Sequence, residues 1–273
     1  MIRPADAPDS QAVLPAAGVR DVKSAARTVE LLELLASRQN RPARLRELSD
    51  ALGVPKSSLY ALLRTLVNHD WVRTDATGTL YGIGIRALLA GTSYLDTDPY
   101  VRLVQPYLDE LRAELNETVH FGRLAGPDIV YLATKESGHS LRPYSRVGRQ
   151  LPAYCTALGK SLLADRSPEE QERHLPEHLE AVTPKTITDR AVLAAELATS
   201  REDGYAVDRE ENTLGVQCYA VALHYGKPAT DALSCSVPLS RLTPEHEARV
   251  LEMLRSTSVK LERVAPRSGD GLA

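Results

Sequence analysis

Residues 48–58 read LSDALGVPKSS, a short apolar helical pattern that breaks at Gly53 and resumes after Pro55. Glycine accepts the left-handed backbone that ends a helix, and proline is favoured in the first turn of the next one. Leucines recur three and four residues apart on both sides of the break, which gives each helix one apolar face. The stretch therefore predicts a helix over 44–52, a tight turn, and a second helix that ends near His69.

The flanking sequence supplies the other parts of a DNA-binding fold. Upstream, apolar residues at steps of three and four over 22–35 predict another helix. Downstream the period changes to two, because residues 71–73 and 79–81 flank a polar turn at 75–78, and this pattern indicates a β-hairpin. Two helices joined by a turn and followed by a hairpin form a winged helix-turn-helix, in which the second helix enters the major groove.

The face of the second helix opposite its leucines carries polar side chains. Serine and arginine can hydrogen-bond base edges, tyrosine can reach a phosphate or a thymine methyl, and lysine can pair with a phosphate. A solvated helix face is the structural alternative, since any small three-helix unit has one. The predicted DNA-binding residues are Lys56, Ser57, Tyr60 and Arg64 on the helix and Arg73 and Thr77 on the hairpin.

Composition and charge limit the class of protein. The chain has 273 residues, 43% hydrophobic and 25% charged, which excludes overall disorder and allows one large or two modest domains. No window holds the roughly 18 apolar residues of a membrane span, and residues 1–18 lack the apolar segment of a signal peptide. We therefore expect a cytoplasmic protein without a membrane partner. Three cysteines are too few for a disulfide scaffold.

The net charge of -3 is unevenly distributed. Residues 1–95 contain 12 Lys and Arg against 9 Asp and Glu, while the remainder contains 21 against 27. A mildly basic front and an acidic back suggest two modules with different partners, although such a difference also arises by chance.

The back of the chain mixes helical and strand patterns, as an α+β domain with helices flanking one antiparallel sheet does. The predicted helices cover 100–116, 157–164, 189–203 and 244–264, and the predicted strands cover 118–124, 129–134, 205–208, 216–223 and 232–237. The predicted organisation is a flexible tail at 1–20, a DNA-binding domain at 21–83, a linker helix at 84–98, an α+β domain at 99–265 and a tail at 266–273.

Five segments carry a family resemblance. In the front they are VKSAARTVELL from Val22, LSDALGVPKSS from Leu48 and LYGIG from Leu80; further on they are ALGKSLLA from Ala157 and GYAVDREENTLGVQCYA from Gly204. Together, and in this order, they resemble IclR-type bacterial transcription regulators. The resemblance implies a winged helix-turn-helix, a linker helix and a C-terminal GAF-like domain that binds a small metabolite and controls DNA binding.

The resemblance also implies a ligand pocket. Carried over position by position, the pocket of the family points here to Ala157, Leu158, Asp208, Cys218, Ser234 and Ser236. The two serine hydroxyls and the backbone N–H groups of 157–159 could hold a carboxylate, and Asp208 could accept from a ligand hydroxyl. A buried Asp repels a second carboxylate, so hydroxy acids, hydrated keto acids and sugar-derived acids are favoured over simple dicarboxylates.

Two alternatives to this pocket remain open at this point. The serines could be satisfied by local hydrogen bonds, and Cys218 could belong to the core. The family's short Cys-x-Ala-x-Pro run also departs here, because Ala222 replaces the proline.

Other motifs suggest different chemistry and fail on their context. The G-x-G-x-x-A pattern at 82–87 follows a hairpin strand rather than opening a βαβ unit. The Gly-Lys-Ser at 159–161 would need a glycine where Tyr154 stands to be a P-loop. His174 and His178 have metal-ligand spacing, but Pro176 between them favours exposed histidines; a zinc site built from distant residues stays open.

No group in the sequence has the setting of a catalytic residue. Cys155 has no evident oxyanion site or orienting partner, so a buried or pocket-lining thiol is favoured. The carboxylates of Glu210 and Glu211 sit at a strand-to-loop corner, where such residues are ordinary. We expect no catalytic residue, cofactor or metal site.

The sequence thus predicts a regulator, acting as repressor or activator, that binds a double-stranded DNA operator as a homodimer or homotetramer under control of a small-molecule effector. An enzyme with an appended winged helix and a winged-helix adaptor for protein partners are the alternatives.

Overall fold

The computed structural model of the chain describes residues 22–38, 41–143 and 145–265. The tails predicted at 1–20 and 266–273 lie outside these ranges. The chain divides into two compact units, of which the first ends at Ser93 and the second begins at Tyr94. No helix within the described ranges is long and apolar enough to cross a membrane.

The first unit combines helices with a small antiparallel sheet of strand order β1–β3–β2. The hairpin and the helix–turn–helix agree with the prediction, while β1, which pairs Ala43 with Tyr81, was not predicted because it has two residues. The elements are α1 (Lys23–Ser37), β1 (Ala43–Arg44), α2 (Leu45–Leu52), α3 (Lys56–Asn68), β2 (Val72–Thr74), β3 (Leu80–Ile83) and α4 (Ile85–Thr97), which extends past Ser93.

The turn between α2 and α3 is set by local hydrogen bonds. Gly53 adopts φ 62°, in the left-handed region, and donates its N–H to the Ser49 carbonyl. The buried Ser49 hydroxyl donates to the Val54 carbonyl at 2.7 Å. Leu48 and Leu59, on either side of the turn, lie in one apolar core, so the packing holds α3 at a defined angle to α2.

The second unit is built on one antiparallel sheet of order β6–β5–β4–β9–β8–β7. Its strand β8 runs unbroken past Ala222, where the family's proline is absent. The elements are α5 (Pro99–Leu115), β4 (Thr118–Ala125), β5 (Asp128–Lys135), β6 (Gln150–Pro152), α6 (Ala157–Ala164), α7 (Pro168–Arg173), α8 (Arg190–Asp203), β7 (Ala206–Arg209), β8 (Val216–Leu223), β9 (Asp231–Pro238) and α9 (Pro244–Val264).

Helices cover both faces of this sheet. Side chains alternate between the faces of a strand, so β9 sends Leu233 to the core formed with α5 and α9 and Ala232 to the core formed with α6 and α8. Ser234 and Ser236 share the face of Ala232. This face, beside α6, is therefore where polar strand residues can meet a ligand.

Besides β1, two further short elements do not follow from the sequence pattern. The sequence pattern predicts no element between 134 and 157, but residues 150–152 form β6, which pairs with β5. Helix α7, of six residues, is too short for a visible apolar period. Its sequence signal is a capping box, in which Ser167 and Glu170 bond each other's backbone N–H groups.

Candidate functional site

Helix α3 presents one buried and one exposed face. Leu59, Leu63 and Leu66 are buried in the core of the first unit. Arg64 Nη1 donates to the Tyr60 hydroxyl at 3.4 Å, so two of the exposed groups are neighbours one turn apart. The structure places all six residues predicted for DNA contact, Lys56, Ser57, Tyr60, Arg64, Arg73 and Thr77, on the exposed surface.

The turn between β2 and β3 contains a carboxylate that sequence reasoning missed. Asp75 Oδ1 accepts from the Thr79 and Leu80 N–H groups at 2.8 Å, and Oδ2 accepts from the Thr77 hydroxyl at 2.5 Å. These bonds, the one from Thr77 first, lower the pKa of Asp75 to about 2. The tip thus carries a fixed negative charge and engages the Thr77 hydroxyl. Of the two predicted hairpin residues, Arg73 on β2 carries the positive charge that a phosphate contact would need, and its side chain is exposed.

A pocket lies in the second unit, on the α6 face of the sheet. The space beside its wall measures about 470 Å³, a volume that includes open solvent. The structure brings together on its wall all six residues that the sequence pointed to, Ala157, Leu158, Asp208, Cys218, Ser234 and Ser236. The wall also contains polar and aromatic residues that the sequence pattern did not indicate, namely His120, Tyr131, Ser145, Arg149, Thr156, Asn212 and Thr213.

Strand register explains this convergence. Asp208 on β7 lies opposite Cys218 on β8, which in turn lies opposite Ser236 on β9. The Cys218 sulfur and the Ser236 hydroxyl oxygen are 3.2 Å apart. Three successive strands therefore place one row of polar side chains across the pocket wall.

Asp208 is a buried carboxyl group whose pKa is raised by burial and lowered by its hydrogen bonds. Its Oδ1 accepts from the Glu211 N–H at 2.6 Å and the Asn212 N–H at 3.3 Å. Burial raises the pKa of Asp208 to about 7, an effect that outweighs the lowering by these bonds and by nearby Lys160. Because this carboxyl can be neutral near neutral pH, it repels an anionic ligand less than the sequence argument assumed.

His120 on β4 forms a neutral part of the wall. Its Nδ1 lies 3.1 Å from the Thr134 hydroxyl, its Nε2 lies 3.4 Å from the Ser236 hydroxyl, and its ring stacks on Tyr131 at 4.6 Å. Burial, with a smaller contribution from the charge of Arg149, lowers the pKa of His120 to about 3. The uncharged imidazole can therefore donate from one ring nitrogen and accept at the other.

The N-terminus of α6 offers fewer backbone donors than expected. The Thr156 hydroxyl caps the helix and accepts from the Gly159 N–H at 3.1 Å, which leaves the N–H groups of Ala157 and Leu158 for a ligand. Gly159 is required by packing, since a Cβ there would lie 2.1 Å from the Ala153 carbonyl oxygen.

The rejected motifs also have structural explanations. Lys160, in the Gly-Lys-Ser sequence, is fully buried and pairs with Glu211 at 2.5 Å and Glu196 at 3.2 Å, so it cannot reach a phosphate in solvent. Gly84, in the G-x-G-x-x-A pattern, packs against backbone, because a Cβ there would lie 2.1 Å from the Asp70 carbonyl oxygen.

The candidate catalytic and metal-ligating groups are placed for other roles. Burial raises the pKa of the Cys155 thiol to about 12, so it is not an activated nucleophile. His174 Nδ1 bonds the Gly126 carbonyl at 2.7 Å. Across the parts of the chain that the structure describes, no group of three or more His, Cys, Asp or Glu side chains could hold a metal ion.

Both units of the chain match families of known proteins. Residues 24–76 match the family model of the IclR helix-turn-helix domain, and residues 92–263 match that of the bacterial transcriptional regulator IclR C-terminal domain. The HTH-type transcriptional regulator XynR of Escherichia coli (strain K12) is 31% identical over 244 residues, which are 89% of this chain and 96% of XynR.

Solved structures agree with this match. The IclR transcriptional regulator from Alicyclobacillus acidocaldarius superposes with a TM-score of 0.78 at 28% identity, over 89% of this chain and 99% of that one. An IclR homologue from Microbacterium hydrocarbonoxydans, in complex with 4-hydroxybenzoate, shares the fold with a TM-score of 0.71 at 23% identity, over 88% and 98%. The chain belongs to the IclR family of DNA-binding bacterial transcriptional regulators.

Proposed function

We propose that this chain is a transcription regulator whose affinity for a double-stranded DNA operator is controlled by a small organic or sugar-derived acid. The part of the proposal that concerns the effector rests on one observation. Four polar residues from three neighbouring strands, Asp208, Cys218, Ser234 and Ser236, line the same pocket. A row of buried hydroxyl and carboxyl groups with a half-buried thiol suits a ligand rich in oxygen atoms. The Microbacterium relative, which binds 4-hydroxybenzoate, supports a small acid as the kind of ligand.

The exposed stripe of α3 carries the DNA-binding half of the proposal. Ser57 and Arg64 would read base edges and Lys56 would contact a phosphate, since serine and arginine match base donors and acceptors and lysine acts as a point charge. Arg73 on β2 would hold the flanking backbone. The carboxylate of Asp75 keeps the tip of the hairpin away from direct phosphate contact.

Helix α4 supports assembly into a homodimer, or a homotetramer formed from dimers. Ile85, Leu88 and Leu89 are between 54% and 60% exposed on it. Such side chains within one helical turn are suited to pack against a second copy. A dimer would hold two copies of α3 at the fixed spacing that a palindromic operator requires.

The decisive experiment incubates the purified full chain with fragmented genomic DNA and sequences the fragments that it retains. Enrichment of one sequence with an inverted repeat, released by a small acid, is the expected result. Sedimentation velocity at micromolar concentration should show a dimer or larger species, and the Leu88→Lys/Leu89→Lys variant should sediment as a monomer. Retention of no preferred sequence, or a monomeric wild type, contradicts the proposal.

A further inference from the structure

Arg149 is the one permanently charged cation among the described residues that line the pocket. His120 is neutral there, and Asp208 is the acid of the wall. Neither the family motifs nor the expected contacts of the serines include Arg149, which lies in the turn before β6. A guanidinium at the wall of a small pocket recognises carboxylates, because its planar N–H groups match both carboxylate oxygens.

The fold holds Arg149 next to the aromatic wall. Its N–H donates to the Arg146 carbonyl at 3.2 Å, closing a turn in which Gly148 takes φ 77°. The Gly148 N–H donates to the Tyr131 carbonyl at 2.8 Å, and the Tyr131 N–H donates back to the Arg149 carbonyl at 2.9 Å. The backbone of Arg149 is therefore tied to the residue whose ring stacks on His120.

The charge of Arg149 acts on the interior of the pocket. It contributes to lowering the pKa of His120 and opposes the rise in the pKa values of Tyr131 and Cys218, groups that lie on β4, β5 and β8. Asp208 acts on Tyr131 and Cys218 in the opposite direction. The strand order separates the two charges, because Arg149 directly precedes β6 at one edge of the sheet and Asp208 lies on β7 at the other edge.

We propose that Arg149 is a specificity-determining residue of this pocket and pairs with the acid group of the effector, while Asp208 reads an uncharged oxygen at the opposite end. The inference rests on the proposed effector function and refines it. It moves the carboxylate from the serines and the α6 N-terminus to the turn before β6. There the acid group gains a counter-charge and lies away from the buried carboxyl.

The test measures ligand stabilisation of the full chain by thermal shift and then calorimetry. The probes are a panel of small hydroxy- and keto-carboxylates and the matching neutral amides. The variants are Arg149→Met, which keeps the aliphatic stem, and Arg149→Lys, which keeps the charge. Arg146→Met, in the same turn but exposed and outside the pocket wall, is the matched control.

Carboxylates should stabilise the wild type and Arg146→Met equally, and the amides should stabilise neither. Arg149→Met should bind the best carboxylate at least tenfold more weakly, the loss expected for a charge-assisted hydrogen bond, and Arg149→Lys should recover part of it. Circular dichroism of Arg149→Met should match the wild type. The inference is overturned if amides bind as well as acids, if no carboxylate binds, or if Arg149→Met binds as the wild type does.

Operator binding separates this inference from the proposed function. Arg149→Met should retain operator DNA at the wild-type affinity without ligand, because the residue lies outside the DNA-binding unit. A wild type that binds no preferred DNA contradicts the proposed function itself. A wild type that binds an operator and releases it with a neutral compound contradicts only the assignment of Arg149.

Discussion

Arg123 on β4 lies directly opposite Asp231 on β9 and donates to both of its carboxylate oxygens, at 2.6 Å and 2.7 Å. The same guanidinium donates to the Tyr94 hydroxyl on α4 at 2.7 Å and to Asp98, the N-cap of α5, at 2.5 Å. One side chain therefore joins the C-terminal end of α4 to the two central strands that carry pocket residues.

Asp231→Asn should weaken this junction. Asp231 is fully buried, so its loss leaves Arg123 with only part of its counter-charge in a largely desolvated position. We expect the free energy of unfolding to fall by about 2–3 kcal/mol, measured by urea denaturation. We also expect the ratio of operator affinities with and without effector to move towards one.

Asp109→Asn is the matched control for that measurement. Asp109 pairs with Lys135 on the surface, where an ion pair contributes about 0–1 kcal/mol. An equal loss of stability in both variants would show that the Arg123–Asp231 pair has no special role.

The buried Lys160–Glu211 pair joins α6 to the segment that follows β7, and both carry residues of the pocket wall. Glu211 Oε1 lies 2.5 Å from Lys160 Nζ, and its Oε2 is buried without a hydrogen-bond partner in the structure. Lys160→Met should therefore lower the free energy of unfolding by roughly 3–5 kcal/mol, because it leaves the buried carboxylate of Glu211 without its counter-charge. The double variant Lys160→Met/Glu211→Gln should recover part of this loss.

Lys185→Met provides the comparison. Lys185 pairs with Glu210, the residue next to Glu211 in the chain, but the Lys185 side chain is 55% exposed. Its effect on unfolding should stay below about 1 kcal/mol. If Lys160→Met lowers the free energy of unfolding by no more than Lys185→Met does, the buried pair does not stabilise the fold.

Asp208 should make stability depend on pH. Its pKa is raised from 3.8 to about 7 by burial, so the folded chain holds a proton that the unfolded chain releases above pH 4. The favourable contribution of the neutral carboxyl is complete below pH 4 and is lost as the pH rises to about 7. The total change is on the order of 4 kcal/mol.

Asp208→Asn removes this titration and keeps an oxygen for the Glu211 N–H. Urea denaturation between pH 4 and 8 should show the wild type losing stability relative to Asp208→Asn up to pH 7, with a constant difference above. Asp203→Asn, on the exposed end of α8, should follow the wild type. If the free energy of unfolding of the wild type and of Asp208→Asn changes with pH in parallel, the buried Asp208 carboxyl does not titrate as described.

Local patterns were sufficient for most elements and for part of the pocket. The helices at 157–164 and 244–264 were predicted at the bounds observed, because caps and apolar periods mark them. Asp208, Cys218 and Ser236 were found through family resemblance, and the register of β7, β8 and β9 explains why they meet.

His120 and Arg149 were missed for a different reason. The hydrogen-bonded pair His120 and Ser236 is separated by 116 residues, and no local pattern indicates that β4 lies beside β9. Arg149 comes from a turn that looked like irregular loop. The charge of the pocket therefore depends on strand order, which hydrophobic periodicity does not encode.

The stripe on α3 gives the last prediction, a division between residues that read sequence and residues that supply charge. Ser57→Ala and Arg64→Ala should each cost roughly 1–3 kcal/mol of operator affinity and relax discrimination against altered operators. Lys56→Ala should weaken binding to all DNA alike and reduce the slope of log affinity against log salt by about 1. Ser37→Ala, exposed at the C-terminal end of α1 and not on α3, should change neither quantity. Fluorescence anisotropy on the enriched operator and on scrambled DNA measures both effects. Full-strength operator binding by the Ser57/Tyr60/Arg64 triple alanine variant would exclude this face of α3 as the DNA-reading surface.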